Sequence, residues 1–218
     1  MRVISWLLDL LFPPKCVFCQ QLLKDRELDM CAACRTSLPR TEGEISRITF
    51  CKKAYSLFYY EKQVPDSILR YKFGGRSNYA SAYGRLLAME ILRKQIPFDV
   101  LTFVPVSAKR RRKRGYDQAE LLAKAVAKEL NVPVCRCLRK RRDNRAQSSL
   151  ADSSERSANV RGVYRGYRTE QYTGKKLLLI DDVLTTGATI SECCNVLRLS
   201  GASEVRCLTV AAARKIFK

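Results

Sequence analysis

The stretch Leu177-Leu-Leu-Ile-Asp-Asp-Val-Leu-Thr-Thr-Gly-Ala-Thr189 decides the fold. An apolar run beginning at Lys176 predicts a buried strand over Lys176–Asp181, since a strand covered on both faces loses its polar alternation. Two adjacent carboxylates, Asp181 and Asp182, end it. A Thr-Thr-Gly turn follows, and Ile190, Cys193, Cys194 and Leu197 then recur at helical spacing over Ala188–Leu199. Strand, turn and helix in this order place backbone N–H groups at the positive end of a helix, where an anion is stabilised. The amides of Thr185, Thr186, Gly187 and Ala188, with the hydroxyls of Thr185, Thr186 and Thr189, can converge on a phosphate. Gly187 permits close backbone approach. Asp181 and Asp182 are placed to accept hydrogen bonds from sugar hydroxyls attached to that phosphate. The plainer reading, in which the carboxylates merely end a strand and a threonine merely caps a helix, suits one Asp or one Thr but explains the whole string poorly.

Working outward, strands are expected at Ala54–Tyr60, Asp99–Val106, Val134–Leu138, Val163–Tyr167 and Glu204–Ala211. Helices are expected at Ser67–Phe73, stopped by Gly74-Gly75, at Tyr79–Lys94, and from Ala119 to Leu130, ended by Asn131 and Pro133. Alternating strands and helices predict an α/β fold with a doubly wound, mostly parallel sheet. Arg139–Asn159, polar and serine-rich, reads as a long loop of the kind that is usually functional.

The chain has 218 residues, 46% hydrophobic, so it accommodates one well-buried domain and a short appendage. Ten cysteines raise the possibility of a secreted disulfide scaffold. Met1–Phe12 argues against it, because Asp9 interrupts the apolar run and Pro13-Pro14 stands where a cleavage site would be. It is also shorter than the roughly 20 apolar residues a membrane span needs. It reads as a short helix packed on the body, with peripheral contact with a membrane surface as the alternative. A cytoplasmic, reducing location is expected. Cys16-Val-Phe-Cys19 and Cys31-Ala-Ala-Cys34 form two knuckles whose four thiolates, Cys16, Cys19, Cys31 and Cys34, can close a tetrahedral structural zinc site. A redox CxxC is the rival. The other six cysteines read as small buried apolar residues. The expected division is residues 1–45 for the N-terminal helix and zinc module, and 46–218 for the α/β domain.

The net charge of +20 points to a polyanionic partner. Val104–Arg168 carries 18 Lys plus Arg against 6 Asp plus Glu, more than half of that surplus. Arg110, Arg111, Arg112, Lys113, Arg114, Arg141 and Arg142 are the candidate nucleic-acid contacts, with Tyr116, Tyr164 and Tyr167 as possible stacking partners. A solvated loop is the plainer reading of Lys109–Arg114 and a nuclear address a weak match, but two basic segments beside a phosphate pocket favour anion binding.

The Asp-Asp and Thr-Thr-Gly string resembles the phosphoribosyl-pyrophosphate (PRPP) signature of type I phosphoribosyltransferases. That resemblance implies that Val106, Ser107 and Lys109, in Val104-Pro-Val-Ser-Ala-Lys109, bind pyrophosphate. It also implies that magnesium bridges substrate oxygens and that Arg139–Asn159 supplies a closing loop. With Leu11-Phe-Pro-Pro-Lys-Cys-Val-Phe-Cys19, Arg112-Lys-Arg-Gly-Tyr-Asp-Gln-Ala119, Arg145-Ala-Gln-Ser-Ser-Leu150 and Arg156-Ser-Ala-Asn-Val-Arg-Gly-Val-Tyr164, the chain resembles the ComF family of competence proteins. It departs from the pattern at Asp117, where Asn is expected, and at Asn144, near where Thr is usual. The resemblance implies a bacterial cytoplasmic protein acting on single-stranded DNA in natural transformation, beside a helicase-like partner. Three functions compete: a nucleic-acid-handling protein that grips ribose phosphate, a PRPP- and magnesium-dependent transferase acting on a nucleobase or amine, and an adaptor whose zinc module docks a helicase.

Overall fold

A computed structural model describes residues 13–24, 27–45, 47–142 and 162–216. The expected N-terminal helix at Met1–Phe12 and most of the loop at Arg139–Asn159 lie outside the described residues. The central element is a nine-residue strand, Lys176–Leu184, whose Leu177–Ile180 run is buried on both faces. It pairs in parallel with Val100–Phe103 on one side and Glu204–Ala212 on the other, and Glu204–Ala212 pairs in parallel with Ala54–Tyr59. In chain order the strands are β1 (Ala54–Tyr59), β2 (Val100–Phe103), β3 (Leu138–Lys140), β4 (Tyr164–Gly166), β5 (Lys176–Leu184) and β6 (Glu204–Ala212). The main sheet runs β1-β6-β5-β2, and β3 and β4 form a separate antiparallel pair. Both sheet edges are covered: Ile45 and Arg40 bridge to β1, and Val134 bridges to Leu101 of β2. Covering limits edge-to-edge association.

The helices are α1 (Ala32–Ser37), α2 (Val64–Phe73), α3 (Tyr79–Arg93), α4 (Ala108–Arg114), α5 (Gln118–Leu130) and α6 (Ala188–Leu199). Alternate side chains of β5 enter different cores, as the two-residue period of a strand requires. Leu178 and Ile180 pack with α2, α3 and α5, while Leu177 and Leu179 pack with α6 and the β3–β4 pair. This is the expected doubly wound arrangement. Gly84 of α3 lies so close to α5 that a Cβ there would sit 2.3 Å from that of Ala125.

Three local expectations need correction. Lys109–Arg114 is not a loop but the body of α4. Ser107 caps it by accepting from the Arg110 amide, and Gly115 ends it at φ +81°. Val134–Leu138 is not a strand. Only Val134 bridges to β2, and the regular strand starts at Leu138, because its partner in β4 ends at Gly166. β5 continues past Asp181 to Leu184, since β6 runs on alongside it to Ala212.

The cysteine knuckles pack on the first of these cores. Cys16, Phe18, Met30, Cys31 and Cys34 are buried in the same cluster as Tyr71, Tyr83 and Leu87. Phe18 meets Phe58 edge-on at 5.1 Å, and Arg70 of α2 donates to the Val17 and Phe18 carbonyls. Arg85 of α3 holds the Asp29 carboxylate, and Gln20 donates to the Tyr79 hydroxyl at 2.6 Å. The four sulfurs lie within 4.8 Å of one another, with Cys19 and Cys31 Sγ 3.6 Å apart. A tetrahedron with Zn–S bonds of about 2.3 Å has an edge of about 3.8 Å, so the group fits zinc. Because the module and the helices share a core, stripping the metal with a chelator should lower the stability of the whole chain. Calorimetry should record one transition displaced downward by on the order of 10 °C rather than loss of a separate small one. Cys34→Ser should do the same without chelator.

Candidate functional site

A cavity of about 810 Å³ opens at the carboxyl end of β5. Parallel α/β sheets generally place ligands there, where helix N-termini and strand ends meet. The turn Thr185–Gly187 and the first residues of α6 form one wall. Gly187 has φ +81°, a conformation that favours glycine, and a Cβ there would lie 3.3 Å from Ile48. Its carbonyl accepts from the Ser191 amide, and Thr186 Oγ1 lies 3.4 Å from the Ala188 amide. The α6 amino end thus faces the cavity with Thr185, Thr186, Gly187, Ala188 and Thr189 all lining it.

Asp181 and Asp182 both line the cavity, although as neighbours on a strand they leave it toward opposite faces. Asp181 Oδ1 accepts from the Asp182 amide at 2.8 Å. Burial, together with the Asp182 carboxylate beside it, pushes the Asp181 carboxyl well above the usual carboxylate range. Asp182 is 4% exposed and pairs through Oδ1 with Lys72 Nζ of α2 at 2.8 Å. Its second oxygen, Oδ2, is buried with no hydrogen-bond partner among the described residues. An orphaned carboxylate oxygen in a low-dielectric site is costly unless a ligand donates to it.

Sequence reasoning missed Lys72 because the lysine and its carboxylate are more than a hundred residues apart, and nothing local to Tyr71-Lys72-Phe73 marks the pairing. Tyr60, Leu69, Phe73 and Lys140 also line the cavity and were not singled out. Lys72, Arg110, Lys113, Arg114 and Lys140 together outnumber the two carboxylates, which leaves the cavity net positive.

The basic helix divides by face. Arg110, Lys113 and Arg114 line the cavity, with the Arg114 guanidinium 4.6 Å from the Phe73 ring centre. Arg111 lies within 4.0 Å of Glu120, and Lys109 and Arg112 are exposed outside the lining. Val106 lines the cavity, whereas Ser107 is buried and engaged as the α4 cap. Arg141 and Arg142 are exposed where β3 ends. Asp117, at the position where Asn was expected, caps α5 and accepts from the Val106 amide at 2.9 Å, joining the β2–α4 turn to α5. Tyr164 is buried against the cavity, whereas Tyr116, whose hydroxyl donates to the Tyr71 carbonyl, and Tyr167 are both partly exposed. Burial pushes the Cys137 thiol up to about 11, and Cys193, Cys194 and Cys207 well above the usual thiol range, which makes them poor nucleophiles.

Fold and site together define a phosphoribosyltransferase-type domain joined to a four-cysteine zinc module. Residues 117–215 match the phosphoribosyl transferase domain, and residues 7–53 match the double zinc ribbon domain. Lys72, Arg110, Lys113 and Arg114 lie between these two spans. The chain is 30% identical over 141 residues to the DNA utilization protein YhgH of Escherichia coli K12, covering 62% of this chain and 61% of that protein. It is 32% identical over 152 residues to the competence protein ComFC of Streptococcus pneumoniae R6, covering 69% and 64% respectively. The matches therefore span somewhat less than two thirds of these relatives' own length. Among solved structures it is similar to a glutamine PRPP amidotransferase from B. subtilis, at 22% identity and a TM-score of 0.46, covering 65% of this chain and 30% of that one. The two domain matches and the relatives named for DNA utilization and competence support a ComF-family protein. Among the described residues no helix is long and apolar enough to cross a membrane.

Two substitutions test the electrostatics. Lys72→Met strands a buried carboxylate and should cost about 3 kcal/mol, or roughly 6–12 °C of thermal midpoint at neutral pH, with most of the loss recovered in the Lys72→Met/Asp182→Asn double variant. Asp181→Asn should act the other way. A carboxyl whose folded pKa is raised penalises the folded state above the ordinary carboxylate range, so the variant's melting temperature should exceed wild type at pH 7–8. That gain should fade as the pH falls through the ordinary carboxylate range, below which the wild-type carboxyl is protonated in both states.

Proposed function

We propose that the cavity binds a 5-phosphorylated ribose, as in PRPP, and that the protein uses it in handling single-stranded DNA. The observation that carries the reading is the buried Asp182 Oδ2 without a partner, in the same cavity as the α6 amino end. The turn Thr185–Thr189 suits the 5-phosphate, and Asp181 and Asp182 suit the ribose hydroxyls. Val106 and the cationic side chains of Lys72, Arg110 and Lys113, which line the same cavity, suit pyrophosphate. Magnesium fits the same chemistry: Asp181 and Asp182 are oxygen donors beside a polyphosphate site, and the ion would neutralise charge on the pyrophosphate. Names of relatives that refer to DNA utilization and competence favour a role in DNA uptake and natural transformation; a cytoplasmic setting beside a helicase-like partner is part of the same proposal and rests on the sequence resemblance alone.

A second reading, transfer of the phosphoribosyl group to a nucleobase or amine, is favoured by the apolar wall of Tyr60, Leu69 and Phe73, which could receive a flat acceptor. In that case, cationic and amide donors would stabilise departing pyrophosphate as the sugar acquires oxocarbenium character.

Thermal denaturation with PRPP and magnesium tests the pocket that both readings share. At 100 times the dissociation constant, binding should add about 2.7 kcal/mol, a rise of roughly 5–10 °C. Asp182→Asn should lose most of that rise, and ribose 5-phosphate alone should give a smaller one. Pyrophosphate release on adding a nucleobase or ammonia would establish transfer, while no shift with any phosphorylated ribose would overturn both readings.

A further inference from the structure

The β3–β4 hairpin has two chemically different faces, and the cavity uses only one. Lys140 and Tyr164 are partners in the ladder, and both line the cavity. One residue earlier on β3 and one later on β4, Arg139 faces Arg165 across the ladder, and both are exposed. The strand period requires this: if one pair points inward, the adjacent pair points outward. Like charges directly opposite each other destabilise a strand pair, so an Arg–Arg cross-strand pair does not serve the hairpin's own stability.

Among the described residues, no carboxylate forms an ion pair with the arginines of the outer face. Elsewhere arginines are neutralised, as Arg85 is by Asp29, Arg136 by Glu120 and Arg214 by Glu61. Arg139, Arg141, Arg165 and Arg168 have no carboxylate within ion-pair distance among the described residues. Tyr167, immediately after β4, is half-buried, with the Arg139 guanidinium 3.7 Å from its ring centre and that of Arg168 at 5.2 Å. Arg168 adopts φ +54° and ψ 50°, the left-handed conformation that a non-glycine residue adopts at some cost, and it is this turn that brings its side chain back to the ring. A tyrosine with two guanidinium groups beside its ring, flanked by further arginines, combines charge for a phosphate backbone with flat aromatic and guanidinium surfaces for bases.

We propose that this outer face, built on Arg139, Arg165, Tyr167 and Arg168, is the surface along which a single nucleic-acid strand lies as it leaves the phosphate cavity. The inference rests on the proposal that the protein handles single-stranded DNA and adds where the strand runs. A three-residue hairpin is only about 10 Å long, so a strand anchored on its inner side reaches the outer face within a few nucleotides. A single strand fits better than a duplex because stacking requires base faces that a duplex hides. An anionic membrane would need only the charge and would leave the tyrosine unused.

The test is fluorescence anisotropy of the intact zinc-loaded chain with a 5′-phosphorylated, 3′-labelled 20-nucleotide oligothymidylate across a salt series. Arg139→Glu/Arg165→Glu should weaken binding at least tenfold at 0.1 M salt and flatten the salt slope by about one to two, consistent with losing two or so phosphate contacts. Tyr167→Ala should weaken it about tenfold while leaving the slope nearly unchanged. Lys128→Glu/Lys175→Glu, an equal charge change at exposed positions away from the cavity, should change affinity less than about threefold. In every variant the melting shift with PRPP and magnesium should match wild type, which separates failure of this surface from failure of the pocket. Equal losses in both charge-reversed doubles would overturn the proposal in favour of general polyanion attraction. So would undiminished binding by Tyr167→Ala, or binding of phosphatidylserine vesicles with the same dependence on Arg139, Arg165 and Tyr167. Wild-type protein that shifts with PRPP but binds no oligothymidylate would overturn it together with the DNA half of the functional proposal, leaving the pocket intact.

Discussion

Burial of β5 on both faces is the constraint from which the rest of the structure follows. Leu177–Ile180 is covered on both sides because the neighbouring strands run parallel and the helices that connect them lie on opposite faces. That arrangement brings the strand ends and the α6 amino end to one edge of the sheet, where the cavity lies. It also sends the side chains of Asp181 and Asp182 to opposite sides of the strand. One carboxyl is raised by burial and its neighbour, and the other is held by Lys72, so two chemically identical residues have different electrostatic surroundings.

The first core, the one shared by α2, α3 and α5, links the site to the cysteine module. Arg70 grips the first knuckle's carbonyls from α2, and Lys72 reaches Asp182 from the last turn of the same helix. Helix α2 is therefore held at one point by the knuckle and at another by the buried ion pair. A buried pair of this kind is poor evidence for net stability, since removing two charges from water costs about as much as their attraction returns. Its physical consequence is positional: it places a cation at the cavity wall and leaves Asp182 Oδ2 for a ligand donor.

Charge is arranged in the same way, by local geometry rather than by amount. The short helix α4 turns Arg110, Lys113 and Arg114 toward the cavity and Lys109 and Arg112 away, because residues three and four apart share a helix face. The β3–β4 pair repeats the division with period two, sending Lys140 inward and Arg139 outward. The surplus charge thus divides between cavity-lining and solvent-facing positions, although the basic residues are close together in sequence.

Periodicity and turn chemistry were sufficient to reveal the β5–α6 unit, the parallel α/β class and the four cysteine ligands, because each depends on residues close together in the chain. Leu177–Ile180 could only be a buried strand, Gly187 had to turn, and two CxxC knuckles had to meet. Sequence alone puts a strand at Val134–Leu138 and leaves Lys109–Arg114 open to a solvated loop because both elements depend on partners elsewhere: β4 sets where β3 begins, and Ser107 with Gly115 bounds a run whose composition alone suggests solvent. Only the tertiary structure placed Lys72 against Asp182 and left one carboxylate oxygen without a partner. Likewise, it divided the arginines among the cavity, acidic partners and open surface. A sequence records which charges exist, but solvation and pairing energies depend on distances that only the packed chain defines.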